Sequence, residues 1–454
     1  MRLPGAAPAA LLAALLLAGT APAQAPGERW REVSEVGLSQ ANAGELAAAE
    51  RSFREAEALA AQLPESDPRK ATSANNLGFV LHAQGRTREA LPLYFEALEL
   101  RELNLGPTHP GTAQSLNNLA EALRTEGRQA EAERLHRRAI EIRRTRLPPN
   151  HPDLAESLNN LGVLLTDAGL FDEAEPLFEE ALAIRAKALG ERNSAVAEVK
   201  GNLGALAFAQ ARHDEAERLH REALAIEEAA HGPDDPAAAF ALHNLAQVLL
   251  AQDKTAEAAA LLERALAVRA TKLGAERLET AQSRHALALA LAELGEHDRA
   301  RTLLEESLAT RERLLGSESP ELAPVLADLA ELRRAQGDLD AALPLLRRAL
   351  AIHEAALGPG DPKVAVSLNN LALLQVDRGA WQEAEPLLAR AVRIEEAALG
   401  RDDPELAPTL ENHATVLDQL GRRETADAAR HRAAAIRVAA AARAALHPAA
   451  GPAR

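Results

Sequence analysis

The sequence predicts an all-α solenoid, a row of short helical hairpins, and three observations predict it. Near-identical stretches recur on a fixed step: HPGTAQSLNNLA at 109–120 and HPDLAESLNNLG at 151–162 start 42 residues apart, and DPKVAVSLNNLA at 361–372 follows 210 residues later, five times 42. The alphabet suits helices, with 47% hydrophobic residues that are largely Ala and Leu, 2% aromatics, one Met and no Cys among 454 residues. A single globular core of this length would use more large aromatics. Helices packed closely through Ala form a thin core in which each unit touches only its neighbours. The third observation is that Pro and Gly punctuate the chain on the same 42-residue step.

Taken in order, residues 1–23 read as a secretory signal peptide, with Arg2 before an apolar run from about Ala9 to Ala18 and a small-residue site at Ala21-Pro22-Ala23. The mature chain is then expected to begin near Gln24. Without Cys there is neither a lipid-modified cysteine nor a disulfide, so packing alone must stabilise an exported protein. No later segment reaches the length of a membrane-spanning helix, so no membrane insertion is expected after cleavage. Residues 24–67 read as a degenerate helical hairpin from Trp30 to Leu63, with Gly44, Phe53, Ala56 and Leu59 where a unit would need them.

Nine 42-residue units follow over 68–445, starting at 68, 110, 152, 194, 236, 278, 320, 362 and 404, and 446–454 reads as a disordered tail. Seven of the nine starts are proline, often after Asp or Ser. Proline suits the first helical position, where its missing N–H would have no partner, and Asp and Ser are good N-caps. Seventeen residues on stand Gly85, Gly127, Gly169, Ala211, Asp253, Gly295, Gly337, Gly379 and Gly421, a tight turn. A second helix opens there, where Asp172 with Glu175 and Asp214 with Glu217 have the spacing of a capping box. Within it Ala90, Ala132, Ala174, Ala216, Ala258, Ala300, Ala342, Ala384 and Ala426 share one position, where two backbones approach closely. Each unit is thus helix A, turn, helix B, loop.

The unit SLNNLGVLLTDAGLFDEAEPLFEEALAIRAKALG, 157–190, resembles a tetratricopeptide repeat of the 42-residue kind found in kinesin light chain, through the order Leu161-Gly162, Gly169, Ala174, Phe178, Ala181. The resemblance implies a right-handed superhelical solenoid of helix-turn-helix repeats whose concave surface, lined by helix A, binds peptide segments. The apolar pattern of helix A leaves one strip facing outwards, at 72, 75, 79 and 82 of the first unit and 42 residues on in each next one. The expected groove residues are Asn75, Asn117, Asn159, His243, His285 and Asn369, with Phe79, Glu121, Val163, Gln247, Leu289 and Leu373 one turn on and His82 and Arg124 beyond. An amide offers both donor and acceptor, so the Asn column is suited to hold an extended backbone. The adjacent Asn76, Asn118, Asn160, Asn202, Asn244, Asn370 and Asn412 lie round the helix and are expected to bond unit to unit.

No phosphate-binding glycine loop, HExxH motif or nucleophile elbow occurs, and there is no cysteine nucleophile, so neither catalysis nor a cofactor is expected. A metal site at His243 and His285 lacks a third ligand type, which leaves a metal-dependent hydrolase as a remote alternative. His109 and His151 read as caps at helix starts; His136 and His220 stand where neighbouring units carry Tyr94 and Phe178 and read as packing. A net charge of −16 argues against nucleic acid or anionic membrane. The strip carries more acids than bases, so the expected partner is a neutral or basic internal protein segment. The sequence therefore points to a periplasmic or secreted, non-enzymatic interaction scaffold. A structural spacer or self-association module is the alternative within the same fold.

Overall fold

The computed structural model describes residues 26–446, and among them are twenty α-helices and no strand. The signal peptide and the mature start near Gln24, and the tail beyond Leu446, lie outside the described residues. The helices fall into two compact units, Met1–Glu191 and Arg192–Arg454. In the first, α1 (Pro26–Asn42) pairs with α2 (Leu46–Ala60), α3 (Pro68–Ala83) with α4 (Thr87–Leu105), α5 (Pro110–Thr125) with α6 (Gln129–Arg146) and α7 (Pro152–Asp167) with α8 (Phe171–Leu189). In the second, the hairpins are α9 (Ser194–Ala209) with α10 (His213–His231), α11 (Pro236–Leu250) with α12 (Thr255–Lys272), and α13 (Leu278–Glu293) with α14 (His297–Leu315). They continue with α15 (Leu322–Ala335) and α16 (Leu339–Leu357), α17 (Pro362–Asp377) and α18 (Trp381–Leu399), and α19 (Leu406–Gln419) and α20 (Arg423–Leu446).

Side chains satisfy the first orphan N–H groups of most A helices, as at Asp67, which accepts from the Arg69 amide at 3.0 Å, and at His109 and His151, whose Nδ1 atoms accept at 3.0 and 3.2 Å. Two A helices start later than their prolines at 320 and 404 suggest, at Leu322 and Leu406. Each has a second proline four residues on, Pro324 and Pro408. These have no N–H to give to the carbonyl of residue 320 or 404, so the first turn closes with tighter bonds, Ala323 N to Pro320 O at 3.3 Å and Ala407 N to Pro404 O at 3.2 Å. The capping boxes do not form either. The helices begin at Phe171 and His213 after Leu170 and Arg212, neither of which caps through its side chain, and Asp172 and Asp214 stand inside the first turn.

The turn between helices A and B keeps one geometry whatever residue fills it: Gly169 has φ 73°, while Ala211 and Asp253 hold φ 58° and 59°. For a residue with a Cβ this left-handed backbone costs roughly 1–2 kcal/mol. The surrounding hairpin imposes it. The N-terminal hairpin is as regular as the rest, but one residue off the ruler. Gly44, Ala49 and Phe53 precede Gly85, Ala90 and Tyr94 by 41, and Ala60, not Leu59, is buried.

Inside each hairpin the Ala column of helix B is fully buried, from Ala90 through Ala426. One turn on, a size rule governs the crossing of A with B. A Cβ built on Gly37, Gly78, Gly162 or Gly204 would lie 2.7, 3.1, 2.7 and 2.8 Å from the rings of Phe53, Tyr94, Phe178 and His220. Where helix B carries Leu262, Leu304, Leu346 or Leu388 instead, helix A carries Ala246, Ala288, Ala330 or Ala372. Glycine inside a helix costs about 1 kcal/mol against alanine, and at these four crossings it makes room for a ring, whereas His136 faces Ala120.

Arginines fasten one hairpin to the next. Arg101 and Arg143 on helix B reach Ser115 and Ser157 on the following helix A at 3.0 and 2.9 Å, and Arg269 reaches Ser283 at 2.8 Å. Arg143 is fully buried and also binds the Asp153 carbonyl, Glu156 and Gln114. On the outer side Arg138 bridges to Glu102 of the previous helix B and to the Pro107 carbonyl at 2.6 and 3.1 Å, as Arg264 does to Glu228 and the Pro233 carbonyl at 2.7 and 2.8 Å. Arg348, Arg390 and Arg432 repeat that clamp with Glu312, Glu354 and Glu396. In one place the charges are exchanged, with Arg144 on the earlier helix and Glu180 on the later.

Candidate functional site

The outward strip of helix A is the candidate binding surface in each unit. Its apolar members stand open: Phe79 is 53% exposed in the first unit and Phe240 60% in the second, with Phe208, Leu289 and Val366 also exposed. Val163 and Leu373 are half-buried beside them, and Gln247 is exposed. Such residues on a surface otherwise knitted by ion pairs mark a place for apolar contact.

The Asn column does not sit as the sequence suggests. Asn117 and Asn159 are only 1% and 2% exposed, and His243 is 4% exposed, so these three do not line an open surface. Asn117 turns inward, donating to Ser157 Oγ at 2.8 Å and facing His136 Nδ1 at 3.2 Å. Asn75 and Asn369 remain half-buried but are engaged, accepting from Asn118 at 2.7 Å and from Asn412 at 2.9 Å in the next repeat. Residues at the 75 position lean towards the following repeat, and their 76-position neighbours there complete the rung. His285 makes the same rung with Asp328, Nε2 to Oδ2 at 2.6 Å, while His243 meets Gln247 at 3.1 Å. Neither histidine's partner is the other, and no group of three or more His, Asp or Glu side chains among the described residues could hold a metal ion.

Glu121 and Arg124 form a chelated pair, Nη2 to Oε1 at 2.6 Å, and Arg124 Nη1 reaches Asp167 of the next repeat at 2.5 Å. The same triad recurs 210 residues on as Glu331, Arg334 and Asp377, at 2.7 and 2.6 Å. Burial pushes the Glu121 carboxyl up, but the Arg124 guanidinium outweighs it and holds the group below its ordinary value. Beside it His82 is half-buried, with Nδ1 3.2 Å from Thr87 Oγ1, and burial lowers its pKa. In the second unit Ala327, Asp328, Glu331, Arg334, Leu346, Asn370 and Leu373 line a cavity of about 260 Å³. Burial pushes His136, His220 and His243 down to about 4, so at neutral pH they pack as uncharged rings.

The tetratricopeptide repeat model matches residues 33–102, 69–145, 193–271, 279–355, 321–394 and 363–437, and a second model of the same description matches 154–194. The chain belongs to the tetratricopeptide repeat family. No curated protein matches it. Among solved structures it is similar to the nearly identical TPR-like repeats of a Podosopora anserina kinesin light chain, at 26% identity over 45% of this chain and 97% of that one, TM-score 0.39. The apo quorum sensor NprR of B. thuringiensis is 14% identical over 72% and 87%, TM-score 0.56, and a Rap protein complexed with competence and sporulation factor is 16% identical over 92% and 99%, TM-score 0.50. The last two share the fold of these tetratricopeptide repeats. The inter-repeat arginines, Arg101, Arg143 and Arg269 inside and Arg138, Arg264, Arg348, Arg390 and Arg432 outside, are the repeat's main polar fasteners, and the 42-residue ruler alone could have found them.

Proposed function

We propose that this tetratricopeptide repeat protein is an exported, non-enzymatic scaffold that holds a neutral or basic protein segment along the outward strip of its A helices. The observation that carries the reading is the exposure of Phe79, Phe240, Leu289 and Val366 on that strip, large apolar side chains that stand open to solvent, with Phe208 also exposed although its ring rests edge-on against His213. The Rap neighbour, of the same fold, is complexed with a factor, which agrees with the reading. The leader-like residues 1–23 support export, and no helix among the described residues is long and apolar enough to cross a membrane.

The test is binding of a displayed library of random dodecapeptides to the full mature chain, with the best binder titrated against Phe240→Asp and Phe79→Asp. Removing a buried aromatic contact should weaken binding about tenfold or more. Binding indifferent to both changes, together with concentration-dependent self-association in the centrifuge, would give the spacer reading the lead. Intact mass of protein from its native host should show a chain beginning near Gln24 in an envelope or external fraction; full-length chain in the cytoplasm would overturn export.

A further inference from the structure

We infer that the second unit holds a socket for an arginine of the partner, built on the Glu227 carboxylate with the Ala237 carbonyl and the Phe240 ring. The inference rests on the strip being the binding surface, since Phe240 stands on it, and it names a side chain the partner must carry. On the 42-residue step the fastening arginine recurs at Arg101, Arg143, Arg269 and Arg311, and each gives a guanidinium N–H to a backbone carbonyl of the next helix A, at Gly111, Asp153, Glu279 and Glu321. At 227 the column holds a glutamate. The place of a cation is taken there by a carboxylate.

The neighbours change with it. Around Arg143 stand the Asp153 carbonyl, Glu156 at 3.0 Å and Ser157 at 2.9 Å, and 84 residues on those places hold Ala237, Phe240 and Ala241. No side chain among the described residues reaches the Ala237 carbonyl. Two further departures adjoin Glu227, Ser194 and His231, where most units carry proline and leucine. At this register the first unit has a cavity of about 350 Å³ whose lining includes Pro68, Arg101, Leu105 and Gly111. The second unit puts Ser194, Glu227, His231 and Ala237 at those four places.

Glu227 is only 9% exposed, with Oε2 accepting from Ser194 Oγ at 2.9 Å and standing 3.7 Å from His231 Nε2. Its Oε1 has no partner among the described residues, yet it is not sealed from solvent. No lysine or arginine among those residues pairs with it. A carboxylate desolvated this far without a strong cation is unfavourable, and a cation brought by a partner removes that cost. A guanidinium suits the set better than an ammonium, because it has N–H groups for both Glu227 and the Ala237 carbonyl and a flat face for the Phe240 ring. Glu395 supplies the contrast. It stands in the same column and accepts from Thr409 at 3.0 Å, but its other oxygen is sealed from solvent, where an incoming cation has no access.

The probe is the dodecapeptide selected on the mature chain, which should carry an arginine at one fixed position. Replacing that arginine by citrulline, which keeps the shape and drops the charge, should weaken binding between about tenfold and a hundredfold on the native chain and hardly further on Glu227→Gln. Glu227→Arg restores the side chain of the neighbouring repeats and fills the socket, so it should weaken the peptide as much while the melting temperature holds or rises. Glu395→Gln should leave affinity unchanged, and a loss there equal to that of Glu227→Gln would overturn the assignment. If the selected peptide carries no arginine, or if citrulline costs as much on Glu227→Gln as on the native chain, while Phe240→Asp or Phe79→Asp still weakens binding, the strip reading stands and the socket is overturned. If no peptide is selected at all, both fall.

Discussion

The two compact units solve the same helix crossing with different side chains. In the first, every helix B places a ring at the crossing, Phe53, Tyr94, His136 and Phe178, against Gly37, Gly78, Ala120 and Gly162. In the second the ring appears once, at His220 against Gly204, then leucine stands opposite alanine in four hairpins and Arg430 opposite Ala414 in the last. The two side chains trade size in most hairpins, ring with glycine and leucine with alanine, and His136 against Ala120 is the exception in the first unit. The inter-repeat arginine also varies, but within the second unit, where Arg269 keeps the serine bond at 2.8 Å and Arg311 does not. Arg143 bonds through both terminal nitrogens, though its buried Nε has no partner, whereas Arg311 faces Val325 and reaches only the Glu321 carbonyl at 3.4 Å.

That contrast is broken most severely at Arg143. Changing it to Ala removes its bonds to the Asp153 carbonyl, Ser157 and Gln114 and leaves a cavity, and should cost about 3–5 kcal/mol. Arg311→Ala should cost about 1 kcal/mol, for one long hydrogen bond. Urea unfolding of the two variants tests this, and equal losses would show that the column is one device throughout.

Acid comes next. His136, His220 and His243 have folded-state pKa values lowered to about 4 by burial, against an ordinary value near 6.5. A lowered histidine pKa means the neutral form is favoured by the fold, so the contribution is complete above about pH 6.5 and is lost as pH falls through 6.5 towards 4. The loss is on the order of 3 kcal/mol per histidine by pH 4. The paired change Gly204→Ala with His220→Leu, which copies the neighbouring repeat's Ala246 and Leu262, should remove one histidine's share of that slope and leave stability at pH 8 nearly unchanged. Urea midpoints measured across that range decide it.

The smallest expected effect concerns the size rule itself. Gly162→Ala drives a methyl to within 2.7 Å of the Phe178 ring and should cost about 1–3 kcal/mol. Adding Phe178→Leu should recover most of it, a coupling of about 1–2 kcal/mol in a thermal double-mutant cycle. Additive losses would refute the rule.

The hairpins, the turns and the Ala column were legible because repetition turns local chemistry into an alignment: Pro152, Gly169 and Ala174 inform each other across the chain. What escaped was whatever acts between neighbours. Pro324 and Pro408 were visible, but their effect depends on a carbonyl four residues back. The candidate site was half legible. The apolar members Phe79 and Leu289 are exposed as expected, yet adjacent asparagines on one helix differ by about 100°, and which of them leans on the next repeat depends on the stacking of two hairpins. Asn117 is buried because Ser157 and His136 claim it. Those partners lie on other helices, where a single-helix reading has no view of them.

The exchanged pair Arg144 and Glu180 gives the repeats a polarity that their shared outline hides. Tandem copies of one sequence invite unequal crossing-over and slipped pairing during folding, and most such events here would leave hydrophobic faces matched. Excising residues 110–151 would set Glu102 opposite Glu180, two carboxylates where an ion pair belongs, whereas excising 320–361 would set Glu312 opposite Arg390 and keep the bond type intact. The outer clamps thus work as a proofreading mark on repeat order, permissive at one end of the chain and restrictive at the other.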